Sequence, residues 1–162
     1  MASLYKNENQ SLWRIADKRY PLMDGYGAAL MGGRWNSPGI PIIYAATSYS
    51  LAMLEKLVHL SRAKVPETQV FVQIKFSSDV AVEKVNSLDF FPNPNNFRES
   101  RKYGDQWAQD KRTVVLLVPS VVAGPNDYNA LINPAHHDYG KLVVTEPQAV
   151  IWDDRLFRTS PG

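Results

Sequence analysis

At 162 residues, 44% hydrophobic and 21% charged, the chain can bury one substantial core and has the composition of a single folded domain. Its 18 basic and 16 acidic residues leave a formal charge of +2, too weak and too dispersed for the basic stripe of a duplex-binding protein. There is no cysteine, which excludes disulfides and thiol catalysis. The polar residues 1–10 and the lack of any apolar run near the ~18 residues of a membrane helix point to the cytoplasm.

The prolines and glycines predict many short elements joined by turns, with no repeat and no linker that splits the chain. Residues 1–11 read as an N-terminal extension, 12–157 as the domain and 158–162 as a tail. Residues 12–16 predict a short strand. Residues 17–33, with Pro21 and glycines at 25, 27, 32 and 33, predict a long irregular segment. Residues 42–46 are a β-branched, buried strand bounded by Pro41. Thr47 or Ser48 then caps a helix running to about Ala63. Within it Leu51, Leu54 and Val58 make an i, i+3, i+7 stripe expected to be buried, and Glu55 and His59 share that side. A carboxylate there needs either a hydrogen-bonding partner or a chemical job, because an unpaired buried charge is costly.

Residues 70–76 alternate as a strand should, and 81–85 read as another. Residues 90–96 are a loop, 98–110 a helix, and 114–118 an apolar strand ended by Pro119. Short strands are predicted at 130–132, 142–145 and 150–152. Many short strands with one or two helices indicate an α+β domain rather than a βαβ alternation.

Several motifs fail on inspection. Gly25-Tyr26-Gly27 followed by Gly32-Gly33 is not a dinucleotide fingerprint, since its third glycine would fall on Leu30, and no Walker A sequence exists. Adjacent His136 and His137 lack companions at metal-ligand spacing. Ser61-Arg62-Ala63-Lys64 matches a serine–lysine motif by letter only. Arg98/Arg101/Lys102 and Lys111/Arg112 are interleaved with acids and read as solvated surface. Val118-Pro119-Ser120 sets a hydroxyl at a sheet end, either an anion contact or a plain turn serine. Asn129, Asn133 and Pro134 mark a turn.

The most informative stretch is Gly33-Arg34-Trp35-Asn36-Ser37-Pro38-Gly39. With Tyr44 and Glu55 it supplies a guanidinium, an aromatic ring and a carboxylate. These are the groups needed to hold a phosphorylated, cationic nucleotide and break one of its bonds, so a nucleotide-handling enzyme is expected.

These fragments resemble the RES domain family, toxins of bacterial toxin–antitoxin pairs. The matching pieces are Trp13-Arg14-Ile15, Gly33-Arg34-Trp35-Asn36, Ile43-Tyr44-Ala45, Leu51-Ala52-Met53-Leu54-Glu55, Gly104-Asp105-Gln106-Trp107, Val118-Pro119-Ser120, Asn133-Pro134-Ala135-His136 and Asp154-Arg155-Leu156. Arg34, Glu55 and Ser120 match the arginine, glutamate and serine that name the family. The resemblance implies a fold like that of ADP-ribosyltransferase toxins, with two small, mostly antiparallel sheets, a few helices and a cleft between the sheets. It implies NAD⁺ as substrate, with no cofactor and no metal, cleaved at the nicotinamide–ribose bond as a glycohydrolase or phosphorylase, or used to ADP-ribosylate a protein. It implies a helix-turn-helix antitoxin of the Xre type as partner, a homodimer within the toxin–antitoxin complex as one assembly, and no direct contact with nucleic acid.

On this reading Glu55, Tyr44 and Arg34 are the catalytic residues. Arg14, Arg34, Tyr44 and Ser120 hold NAD⁺: the arginines on the pyrophosphate, Tyr44 by its face or hydroxyl, and Ser120 on a phosphate or ribose oxygen. Two rivals from other classes are an RNA-cleaving toxin built on the arginines, His136/His137 and tyrosines, and a non-catalytic module that only docks a partner. The weak net charge argues against the first, and the intact Arg34, Tyr44 and Glu55 against the second.

Overall fold

The computed structural model describes residues 3–4, 11–86 and 97–158. Its described strands are β1 (Ser3–Leu4), β2 (Ser11–Asp17), β3 (Ile43–Ala46), β4 (Gln69–Lys75), β5 (Val82–Lys84), β6 (Val115–Pro119), β7 (Tyr128–Ile132), β8 (Val143–Val144) and β9 (Gln148–Ala149). They join in one nine-stranded sheet of order β1-β5-β6-β7-β3-β2-β4-β8, with β9 beside β8 on the outer edge of β4. Every pairing is antiparallel except β5 with β6.

The expected two sheets are thus one sheet, but its continuity rests on a narrow seam. β2 and β3 pair at a single position, Trp13 opposite Ala46, whereas β2 runs beside β4 over its whole length and β3 beside β7. A half built on β2 and β4 and a half built on β3, β7, β6 and β5 meet at that one bridge.

Period-2 alternation explains the layers. Val115 and Leu117 of β6, with Ala130 and Ile132 of β7, face one core that also takes Leu12, Ile43 and Ile74. Leu116, Val118 and Leu131 face the opposite side, against Trp35, Trp107 and Ala108. On that side lie α2 (Tyr49–His59) and α3 (Arg98–Asp110), the latter spanning the predicted residues 98–110. A third cluster sets Leu51 and Ala52 of α2 against Ile15, Val150, Trp152 and Phe157.

Ser48 caps α2, its hydroxyl accepting the Leu51 N–H at 3.1 Å. The helix ends at His59, not Ala63, because Arg62 is drawn away: its Nε donates to the Leu156 carbonyl, and its own carbonyl accepts the Arg158 N–H. Leu51 is buried as expected, but Leu54 and Val58 are 40% and 59% exposed, so the rest of the expected buried stripe is turned outward. The inward face is Leu51 and Ala52, with Met53 and Leu57 partly buried against the same cluster.

Residues 17–33 contain a short helix, α1 (Tyr26–Met31), entered through Gly25 in the left-handed region, and so are not wholly irregular. The strand expected at 150–152 lies at Gln148–Ala149; Val150 closes the ladder by donating its N–H to the Gln69 carbonyl at 3.1 Å, and Trp152 is a buried core side chain beyond it. Ser3–Leu4, in the expected extension, pairs with β5. The loop expected at 90–96 falls outside the described residues. No helix among the described residues is long and apolar enough to cross a membrane.

Candidate active site

A cavity of about 210 Å³ opens where α2 crosses the seam. Ala52, Glu55, Lys56 and His59 line it from α2, an i, i+3, i+4, i+7 set that places all four on one helical face. Trp13 and Arg14 line it from β2, Tyr44 from β3 and Asn129 from β7. An aromatic wall stands at one side: Trp13 packs edge-on to Tyr49 at 5.5 Å, and Tyr49 edge-on to Phe71 at 4.9 Å.

Glu55 is half-buried. Its Oε1 accepts two hydrogen bonds, from Ser120 Oγ at 2.7 Å and from Asn129 Nδ2 at 2.7 Å. The buried carboxylate therefore has the partners its helical position demands. Ser120 is fully buried, and its Oγ also accepts the Ala123 N–H at 2.9 Å. The hydroxyl expected to face a phosphate or ribose oxygen is instead donated to Glu55.

Arg14 sits across the seam. Its Nε donates to the Leu22 carbonyl at 2.6 Å and its Nη1 to the Tyr44 carbonyl at 2.7 Å. Burial pulls its pKa below the ordinary value, with Asp24 and Tyr139 pulling the other way. Lys56 lines the same cavity, and its pKa is lowered by burial and then by the neighbouring Arg14 charge. Two cationic side chains lining one cavity make it receptive to an anion.

Tyr44 belongs to both the cavity and the Gly33–Gly39 loop. Its hydroxyl accepts the Trp35 N–H at 3.1 Å and donates to Asn36 Oδ1 at 2.6 Å, so it holds the loop while the ring lines the cavity. Burial pushes the phenol well above its ordinary pKa. Asn36, fully buried, donates to the Ala28 and Ile40 carbonyls at 2.8 and 2.9 Å. The loop is fastened to α3 as well: Arg101 Nε donates to the Gly33 carbonyl at 2.7 Å, and Ser37 donates through N and Oγ to Asp105. Gly104 allows this approach, because a Cβ there would lie 2.8 Å from the Trp35 carbonyl carbon and closer to its oxygen.

Arg34 is not among the residues lining the Glu55 cavity. Its half-buried guanidinium lies 5.5 Å over the Phe97 ring, which also carries Arg101 at 4.5 Å. Asn133 and His136 also lie elsewhere. Asn133 donates to the Ala108 carbonyl and accepts the Ala135 N–H, and His136 Nδ1 accepts the Asp138 N–H at 3.0 Å. Ligand atoms of His136, His137 and Asp138 lie within 4.8 Å of one another, yet Lys141 Nζ, 3.0 Å from Asp138 Oδ1, already supplies the positive charge there.

Sequence reasoning missed Asn129, read only as a turn marker, and Lys56. The signal for Lys56 was available, since it follows Glu55 and shares a helical face with Ala52 and His59.

The RES domain profile matches residues 11–153, nearly the whole chain. The chain belongs to the RES domain family. This RES domain is 39% identical over 158 residues to a Sphingobium sp. protein named Prs ADP-ribosylating toxin, covering 91% of this chain and 97% of the relative. It is 34% identical over 157 residues to Toxin Res of Yersinia enterocolitica, covering 90% and 98%. Its fold is similar to a chain in the crystal structure of the M. tuberculosis MbcT–MbcA toxin-antitoxin complex, with a TM-score of 0.63 at 18% identity, covering 86% of this chain and 82% of that one.

Proposed function

We propose that this RES domain is the toxin of a bacterial toxin–antitoxin pair and acts by cleaving the nicotinamide–ribose bond of NAD⁺. The observation that carries the reading is the Glu55 carboxylate, fixed through one oxygen in a cavity that Lys56 lines from the same helix and Arg14 from β2. NAD⁺ presents a cationic N-glycoside beside a pyrophosphate. When the C–N bond breaks, nicotinamide leaves as a neutral ring with the bonding pair, and positive charge develops on the ribose. A fixed carboxylate at that point stabilises the oxocarbenium-like transition state; a well-placed group of this kind contributes roughly 3–4 kcal/mol. The leaving group is activated by its own charge, so this reading requires no metal.

Arg14 and Lys56 are assigned to the pyrophosphate, which a guanidinium and an ammonium both bind without losing their protons. Tyr44 offers its ring face toward the nicotinamide or ribose. Arg34 is assigned to the substrate from the Phe97 side of the Gly33–Gly39 loop. Ser120 acts through Glu55.

The name of the Sphingobium relative, an ADP-ribosylating toxin, supports a second outcome, in which the ribosyl cation is captured by a protein side chain rather than by water or phosphate. The toxin–antitoxin complex among the structural neighbours supports an antitoxin partner, for which we propose an Xre-type protein. Purified protein incubated with NAD⁺, with and without phosphate and with cell lysate, should release nicotinamide; the co-product identifies the acceptor. Failure of folded wild-type protein to release nicotinamide in all three mixtures refutes the reading.

A further inference from the structure

We infer that Asn129 is a positioning residue for Glu55 and is held in place for that purpose alone. This deepens the proposed function and rests on it for the identity of the reaction. Three observations carry it. First, Asn129 Nδ2 donates to Glu55 Oε1 at 2.7 Å, the same oxygen that accepts from Ser120, so two donors from different strand ends converge on one carboxylate oxygen. No hydrogen bond among the described residues reaches Oε2, which is left to the cavity. Second, the other end of the same amide, Oδ1, is buried with no hydrogen-bond partner. Turning the amide over would set Oδ1 against the carboxylate, so Glu55 alone dictates its orientation. Third, Asn129 sits in the middle of the sheet, paired with Ala46 on one side and Val118 on the other, where an apolar residue would leave no acceptor unsatisfied.

A buried amide with one orphaned end is a poor choice for stability and a good one for aiming a carboxylate. Ser120 by itself is a single pivot about which Glu55 could turn. The second donor removes that freedom, because two hydrogen bonds to one oxygen from different directions define where the other oxygen lies. Glu55 then meets the substrate as a fixed charge and not as a swinging base.

The test uses the full chain with Asn129→Ala and Asn129→Leu, the leucine variant guarding against loss of packing. Expected is a fall in kcat for nicotinamide release of about tenfold to a hundredfold, with KM for NAD⁺ within about twofold and cooperative melting retained. In the inactive Glu55→Ala background, adding Asn129→Ala should leave the calorimetric affinity for NAD⁺ unchanged, because the residue acts only through the carboxylate. Wild-type kcat in both variants, or a further loss of NAD⁺ affinity in the double variant, overturns the inference. A crystal structure of Asn129→Leu gives a readout independent of activity. A displaced Glu55 carboxylate supports the positioning role even if the wild type proves inactive on NAD⁺, which would refute only the proposed reaction. A carboxylate in its wild-type place overturns the inference whatever the substrate.

Discussion

Gly104→Ala sets two physical effects of opposite sign against each other. Alanine is the better helix former, and inside α3 it should gain about 1 kcal/mol over glycine. Its Cβ, however, would stand 2.8 Å from the Trp35 carbonyl carbon and 3.2 Å from Trp35 Cβ, with the carbonyl oxygen nearer still. Those are mostly backbone atoms, so no side-chain rotation relieves the overlap, and α3 must retreat from the loop. Overpacking of this kind costs about 1–3 kcal/mol. Retreat also strains the Arg101–Gly33 and Asp105–Ser37 hydrogen bonds, which join a charged group to a neutral one and contribute about 1.5–3 kcal/mol each when fully lost. The net expectation is a destabilisation of about 2–4 kcal/mol, or roughly 5–15 °C in melting temperature for a chain of this size. Thermal unfolding followed by circular dichroism measures it. A variant that melts at or above the wild-type temperature would show that the loop–helix approach is not what requires glycine, and the account of how the loop is fastened would fall with it.

Glu55→Gln keeps an oxygen to accept from Ser120 and Asn129 while removing the charge. Nicotinamide release should drop by about 10²–10³ with the melting temperature little changed, as chromatography and calorimetry would show. Arg14→Lys loses the planar fork that spans the Leu22 and Tyr44 carbonyls, so NAD⁺ affinity by calorimetry should weaken by about tenfold and stability should fall. Tyr103 has its phenol pushed up to about 12 by burial and by its hydrogen bond to Glu83. The folded state thus holds that proton more tightly than the unfolded chain, and stability should be full below about pH 10 and decline toward pH 12. Tyr103→Phe should flatten that alkaline decline in a melting series.

The sheet was legible from the sequence where residues alternate, as in 70–76, and where a short apolar run ends at a proline, as in 114–118. The helix at 98–110 was legible within its observed bounds. Misreadings came where a tertiary contact decided the outcome. Leu54 and Val58 satisfy a helical apolar stripe, yet α2 turns its Leu51–Ala52 side inward, against Ile15, Val150, Trp152 and Phe157. Trp152 is as buried as a strand residue, but it packs as a core side chain past the end of the ladder. Within the site, Glu55, Tyr44 and Arg14 line one cavity, whereas Arg34 stands over Phe97. The use of Ser120 as a holder of Glu55 was hidden, since a serine after a strand has the same letters whether it faces a ligand or a carboxylate. Asn129 was hidden for the same reason.

The seam between β2 and β3 gives Arg14 two duties that cannot be tuned separately. Where strands part, their backbone carbonyls lose ladder partners, and a buried carbonyl without one is a liability. The Tyr44 carbonyl escapes because Arg14 reaches over and caps it, and the same guanidinium caps the Leu22 carbonyl. Two of its five N–H groups thus act as rivets in the sheet, and the guanidinium fronts the cavity. On the proposed function, mechanical closure and anion recognition are vested in one side chain. Any substitution that retunes the grip on a ligand also loosens the joint, and substrate preference in this fold is therefore more readily altered at Lys56, which lines the same space and fastens nothing among the described residues.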